Sequence, residues 1–146
     1  MKNKNYYLDT FRVTVPQMEQ LTATALKSGG GWCDLYFEYT TYNDLLLKDS
    51  EVSSGGFHID FGVGIRVLSG ERTGYAYSES TEMADMLSAA AAASAISQGK
   101  VHTAASDSGR ISTVCNDFYP SRQDWRDTSP SQFLPFLKKI EENKKK

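Results

Sequence analysis

The chain predicts an α+β fold: an antiparallel or mixed sheet of hairpin-connected strands, packed against an N-terminal helix and an alanine-rich helix, with a further helix at the C-terminus. Three observations predict it. Apolar and polar residues alternate through Cys33–Thr41 and again through Gly62–Leu68, the period of a strand with one buried face. Ser69-Gly70 then separates the second of these segments from Thr73–Tyr77, the spacing and chemistry of a hairpin. Apolar residues recur at three and four in Met18, Leu21 and Ala25, and in Met83, Leu87, Ala90 and Ser94, which marks two helices.

The elements follow in order. Residues 16–28 form the first helix, with Pro16 at an initial position and Gly29-Gly30-Gly31 as its C-terminal stop, since glycine accepts the left-handed cap. A phosphate loop would need a strand before the glycines and a helix after them; the order here is reversed. Cys33–Thr41 is a strand, and Leu45–Leu47 a second one reached through a turn at Asn43-Asp44, with Ser53–Gly56 as a loop. Gly62–Leu68 and Thr73–Tyr77 are the third and fourth strands. A helix over 81–97 follows, with Ser78, Ser80 and Thr81 as candidate caps, Glu82 and Asp85 at its positive end, and the run Ala89–Ala93 giving it a smooth face for close packing. Arg110–Cys115 is a short strand, 116–128 a linker, and Ser129–Gln132 a capping box, with Pro135 forcing an irregular second turn or a later helix start. Phe133, Phe136, Leu137 and Ile140 make the last helical face. The whole is read as a single domain over 1–146, with its α+β core at 16–115 and its C-terminal helix at 129–146.

Composition restricts the function. Of 146 residues, 40% are hydrophobic and 23% charged, ordinary for a globular domain, and a net charge of −2 argues against a nucleic-acid binder. No stretch approaches the roughly 18–20 apolar residues of a membrane span, and no signal peptide is visible. Two cysteines, Cys33 and Cys115, make no disulfide framework, so a reducing cytoplasm is the expected setting.

No catalytic or metal-binding residue emerges. His58 and His102 are the two histidines, and neither stands at a zinc-ligand spacing; His58-Ile-Asp60 places two polar side chains on one side of a strand and nothing more. Cys33 heads a strand beside Trp32, the setting of a packed thiol. Glu38, Asp44, Asp49, Glu51 and Asp60 form no acid–base couple. The tyrosines are more informative, because Tyr36, Tyr39, Tyr42, Tyr75 and Tyr77 fall in or beside strands, as on a face that a partner covers. Tyr36, Glu38, Arg66, Tyr75 and Tyr77 are the candidate peptide or partner contacts, and Gly62, Gly64, Gly70 and Gly74 the candidate structural glycines.

The order of segments also carries a resemblance. Ala25–Glu38, a helix end, a glycine run and then Cys33-Asp34-Leu35-Tyr36-Phe37-Glu38, resembles the opening of the TldD/PmbA metallopeptidase family. Gly62–Tyr77 is similar to that family's glycine-punctuated hairpin, and Ala89–Ile96 to the alanine-rich helix after it; Phe118-Tyr119-Pro120 and Ser129–Glu142 resemble its later linker and helix. The resemblance implies a two-lobed peptidase subunit working as a homodimer or mixed dimer, with zinc on an H-E-x-x-x-H helix downstream of this domain. No His-Glu dipeptide occurs here, so no catalytic residue and no zinc ligand transfers, and no cofactor is expected in this chain. The expectation is an N-terminal module without the catalytic C-terminal domain, inactive alone, that contributes to substrate access and to contacts with a peptidase subunit or catalytic half. The alternatives are a stand-alone binding or scaffold protein derived from the domain, or a fragment of a split or truncated peptidase gene. The family's older label, modulator of DNA gyrase, gains no support from an acidic chain.

Overall fold

A computed structural model describes residues 6–96, Arg122 and 127–144. The order is α1 (Tyr6–Phe11), α2 (Val15–Leu26), β1 (Trp32–Lys48), β2 (Glu51–Ser69), β3 (Arg72–Ser78), α3 (Met83–Ile96), a 3-10 turn at Pro130–Gln132, and α4 (Leu134–Lys144). The strands form one antiparallel sheet in the order β1-β2-β3, which establishes the α+β class. The chain divides into two compact units, Met1–Tyr39 with Phe61–Asn116, and Thr40–Asp60 with Asp117–Lys146. β1 and β2 contribute residues to both.

In the first unit, helix α2 is entered through Thr14, whose backbone N–H and hydroxyl both donate to Gln17 Oε1 at 2.8 Å. This reach-back from the third helical position satisfies groups that the first turn leaves unpaired. The glycine run ends the helix as the sequence predicts. Gly29 takes φ 97° and its N–H donates to Leu26 O, and Gly31 N–H donates to Leu68 O at 2.8 Å, tying the helix end to β2. The β2–β3 hairpin turns at Gly70-Glu71, with Gly70 at φ 62° in the first central position, as a II′ turn requires.

Alternation decides the faces. Val63, Ile65 and Val67 point into the core, joined from β1 by Cys33, Leu35 and Phe37, while Tyr36, Arg66, Tyr75 and Tyr77 lie outside. The core is closed by Met18, Leu21 and Ala25 of α2 and by Met86, Ala89, Ala90 and Ala93 of α3. α3 packs on both β3 and α2. Small residues meet there: Gly74 is buried and Ala76 half-buried on β3, opposite the alanines of α3, so backbones approach closely. Buried Ser94 is satisfied by accepting the Ser28 N–H at 3.0 Å.

Several expectations are corrected. Leu45–Leu47 is not a second strand behind a turn at Asn43-Asp44: β1 runs unbroken for 17 residues, and Ser53–Gly56 lies within the 19-residue β2 rather than in a loop. The turn is at Asp49-Ser50, both at positive φ (52° and 67°), the condition for a type I′ hairpin. Ser50 N–H donates to the Glu141 carboxylate of α4 at 3.0 Å, a tertiary bond that a local reading does not contain. Ser53–Gly56 stays extended because Gly55 and Gly56 give room to Leu45 and to the Asp44 side chain, respectively. The buried stripe of α3 is Met86, Ala89, Ala90, Ala93 and Ser94, with Met83 and Leu87 at its margin, because alanines on all sides leave the helix's rotation to its neighbours. Ser129 makes no side-chain cap; its hydroxyl pairs with Ser131 at 2.8 Å, and α4 starts late, at Leu134, as Pro135 demands. Along the last helical face Phe133 and Leu137 are half-buried, while Phe136 (64%) and Ile140 (42%) are exposed. Helix α1 has no counterpart in the sequence reading. The expected strand at Arg110–Cys115, His102 and most of the linker over 116–128 lie outside the described residues.

Candidate functional site

The outward face of the sheet in the first unit gathers most of the side chains that the sequence singles out. Its register sets Arg66 opposite Tyr75 and Gly64 opposite Tyr77. Tyr36 is 62%, Tyr75 54% and Tyr77 67% exposed, far more than tyrosines that serve a core. Tyr75 is held in place. A side-chain carbon on Gly64 would lie 2.6 Å from the Tyr75 hydroxyl and 3.1 Å from its ring, so Tyr75 leans diagonally across the bare backbone of the central strand. A glycine is needed for that ring to lie flat.

Arg66 stands on the same face, fully engaged. Its Nε and Nη2 donate to the two carboxylate oxygens of Asp34 at 3.1 and 2.8 Å, and its guanidinium carbon sits 5.4 Å from the centre of the Trp32 ring. The hydrogen bonds to Asp34, and then that residue's charge, push the Arg66 pKa further up. Asp34 and Trp32 were not among the candidate contacts. Alternation along β1 puts them beside Tyr36, but finding their partner needs the β1–β2 register, which an internal turn at Asn43-Asp44 misplaces. Glu38, also on the outward side of β1, is half-buried and has an interaction partner of its own.

The face therefore presents flat rings around a neutralised ion pair. Such a surface buries well against another protein and offers tyrosine hydroxyls at its margin. It holds no nucleophile with an adjacent base. Cys33 faces the core side, half-buried, its thiol pushed up to about 11 by burial and then by the charge of Asp34. With the pKa above the ordinary 9.0, the folded chain holds this proton more tightly than the unfolded chain. The corresponding stability is present below pH 9 and is lost as pH rises towards 11. In a Cys115→Ser background, iodoacetamide is expected to label Cys33 at pH 8 about ten-fold or more slowly than it labels the urea-unfolded chain. Equal rates would show an accessible, ordinary thiol.

In the second unit, His58 stacks on Tyr42 with ring centres 4.3 Å apart and planes 6° from parallel. Among the described residues, no three His, Cys, Asp or Glu side chains come together to hold a metal ion, and no helix is long and apolar enough to cross a membrane. Gly62 and Gly74 belong to the β2–β3 framework. A side chain on Gly62 would run into the Ser78 carbonyl, and Gly74 is buried on the core side.

Comparison with known proteins falls on these same elements. Residues 33–97, from β1 through α3, match the PmbA/TldA metallopeptidase domain 1. A metalloprotease TldD homolog of Haemophilus influenzae is 41% identical over 69 residues, covering 47% of this chain and 14% of the relative. One from Buchnera aphidicola subsp. Acyrthosiphon pisum is 37% identical over 62 residues, covering 42% and 12%. The matched segment thus spans about one-seventh of the length of these relatives.

Proposed function

We propose that this chain, matched over residues 33–97 by PmbA/TldA metallopeptidase domain 1, acts as a non-catalytic N-terminal module of such a peptidase, contributing to substrate access and to contacts with a second subunit. The observation that carries this reading is the exposed tyrosine face around the Asp34–Arg66 pair, a surface suited to contact and equipped with no hydrolytic group. The hydrolytic step is assigned to the catalytic half of the peptidase, on the downstream H-E-x-x-x-H helix that the family resemblance implies. Among the described residues β1 and β3 each have one neighbour in the sheet, and an extended peptide can add to such an edge through backbone hydrogen bonds while the tyrosines flank its side chains.

Reconstitution tests the proposal. The chain alone is expected to hydrolyse no peptide. Added to a subunit from the same genome that carries the H-E-x-x-x-H helix, it is expected to form a stoichiometric complex and change the KM for peptide substrates. Hydrolysis by the purified chain alone, lost on chelation, would overturn it. So would a catalytic subunit whose kinetics and mass ignore the chain, and a specific partner that is no peptidase would favour a stand-alone scaffold.

A further inference from the structure

We infer that Asp49-Ser50, at the tip of the β1–β2 hairpin, is a latent site of isoaspartate formation that Glu141 of α4 keeps closed.

The dipeptide has the chemistry for it. In the first step the Ser50 backbone nitrogen attacks the side-chain carboxyl carbon of Asp49 in its acid form. A C–N bond forms, and the Ser50 amide proton leaves with the carboxyl hydroxyl as water. Water then adds to the Asp49 backbone carbonyl of the five-membered imide and breaks its bond to that nitrogen. The chain now runs through the former side chain, one backbone carbon longer, and the old backbone carbonyl is a free carboxylate. Water lost in one step is regained in the next, so nothing else is consumed. Crowding on the residue after the aspartate hinders the attack. Among the described residues, Asp34 and Asp44 precede leucine, Asp60 phenylalanine, Asp85 methionine, and Asp9 and Asp127 β-branched threonine, whereas Asp49 precedes small, unbranched serine. Both residues of the pair are exposed, so water reaches them.

The fold opposes the reaction twice. Asp49 and Ser50 stand at φ 52° and 67°, the central positions of a type I′ turn. That turn sets ψ of its first central residue at about +30°, whereas ring closure needs about −120°, the value found in a type II′ turn. Asp49 Cβ is therefore held trans to the Ser50 nitrogen, on the far side of the bond about which the ring must close. The nitrogen itself is also tied: its N–H donates to Glu141 Oε1 at 3.0 Å, a hydrogen bond strengthened by the carboxylate charge. Two successive non-glycine residues at positive φ are unfavourable on their own, so the bond to α4 is what secures the turn. Hairpin tip and helix belong to the same compact unit, and modification follows how often that unit opens locally.

The test is to incubate the parent, Glu141→Gln and Glu141→Ala for several weeks at neutral pH, beside the urea-unfolded parent. Isoaspartyl methyltransferase labelling with peptide mapping counts the product at Asp49, separately from Asp107-Ser108, the same dipeptide elsewhere in the sequence. Asp49 of the folded parent is expected to react at least about ten-fold more slowly than in the unfolded chain. Glu141→Ala should react at least about five-fold faster than the parent, while Glu141→Gln, which keeps the acceptor oxygen, stays within about two-fold of it. Amide exchange separates release of the turn from general unfolding: in Glu141→Ala it should rise at Ser50 and stay unchanged at Ile65. A folded parent that reacts at the unfolded rate would overturn the inference. So would a Glu141→Ala chain that reacts no faster than the parent, or one whose faster reaction comes with raised exchange at Ile65 while Glu141→Gln, folded as the parent, reacts equally fast.

Discussion

Replacing Phe11 by alanine is expected to remove about 3–5 kcal/mol of stability, enough to unfold much of the population of a domain held by only about 5–15 kcal/mol. Phe11 is fully buried at the end of a six-residue helix, and it gathers the aromatic part of the core around it. Its ring lies 5.1 Å from Phe37 of β1 and 5.4 Å from Phe61 of β2, nearly stacked on the latter at 20°. Tyr6 and Tyr7 of its own helix close the remaining sides at 5.9 and 6.4 Å. Removing the ring leaves a cavity lined by two strands and a helix that cannot all move in, so the loss includes a cavity term besides the lost transfer of apolar surface. Urea unfolding followed by circular dichroism gives the number, and Phe11→Leu should recover more than half of it. A loss below about 1 kcal/mol for Phe11→Ala would mean that α1 is not part of the core.

The second large effect is expected at Gly62. Its φ of 153° lies in a region that side-chain-bearing residues rarely adopt, and an added carbon would meet the Ser78 carbonyl and lie 3.1 Å from Glu79 Cα. Both obstacles are backbone at the end of β3, where Val63 pairs with Ser78, so no side chain can swing aside. Gly62→Ala should therefore cost about 3 kcal/mol, from backbone strain and overpacking together. It should also raise amide exchange at Val63 and Ser78 before the rest of the sheet. Gly70 is the control. Its φ is 62° in the hairpin turn with nothing within 4 Å, so Gly70→Asn bears backbone strain without overpacking and should cost about 1 kcal/mol, well below Gly62→Ala. Equal losses at the two sites would show that conformation alone, and not the approach of β3, fixes Gly62.

These two residues mark what the sequence makes legible. Local chemistry sufficed where it agreed with its surroundings: the cap at Gly29–Gly31, the Ser69–Arg72 hairpin, the late start of α4 at Leu134, and the inward Val63, Ile65 and Val67 all follow from neighbours a few positions away. It failed where distant contacts outvote propensity. Asn43-Asp44 and Ser53–Gly56 are turn formers by composition, yet both lie in long strands, because the chain reverses at Asp49-Ser50, where Glu141 receives the turn amide. Tyr6–Phe11 is too short to show a helical period, and its reason for being helical is the burial of Phe11. The site divides in the same way. The outward placement of Tyr36, Tyr75 and Tyr77 is an alternation argument, whereas the bond from Arg66 to Asp34 and the lean of Tyr75 over Gly64 depend on register.

The central claim is that the tyrosine face is how this module takes part in a peptidase assembly. Calorimetric titration of the chain into the subunit that carries the H-E-x-x-x-H helix tests it most directly, with Tyr36→Ala/Tyr77→Ala compared against the parent. The account predicts saturable binding by the parent and at least ten-fold weaker binding by the double variant, with unchanged thermal stability of the chain itself. Equal affinity of the two chains, or no binding by the parent, would contradict it.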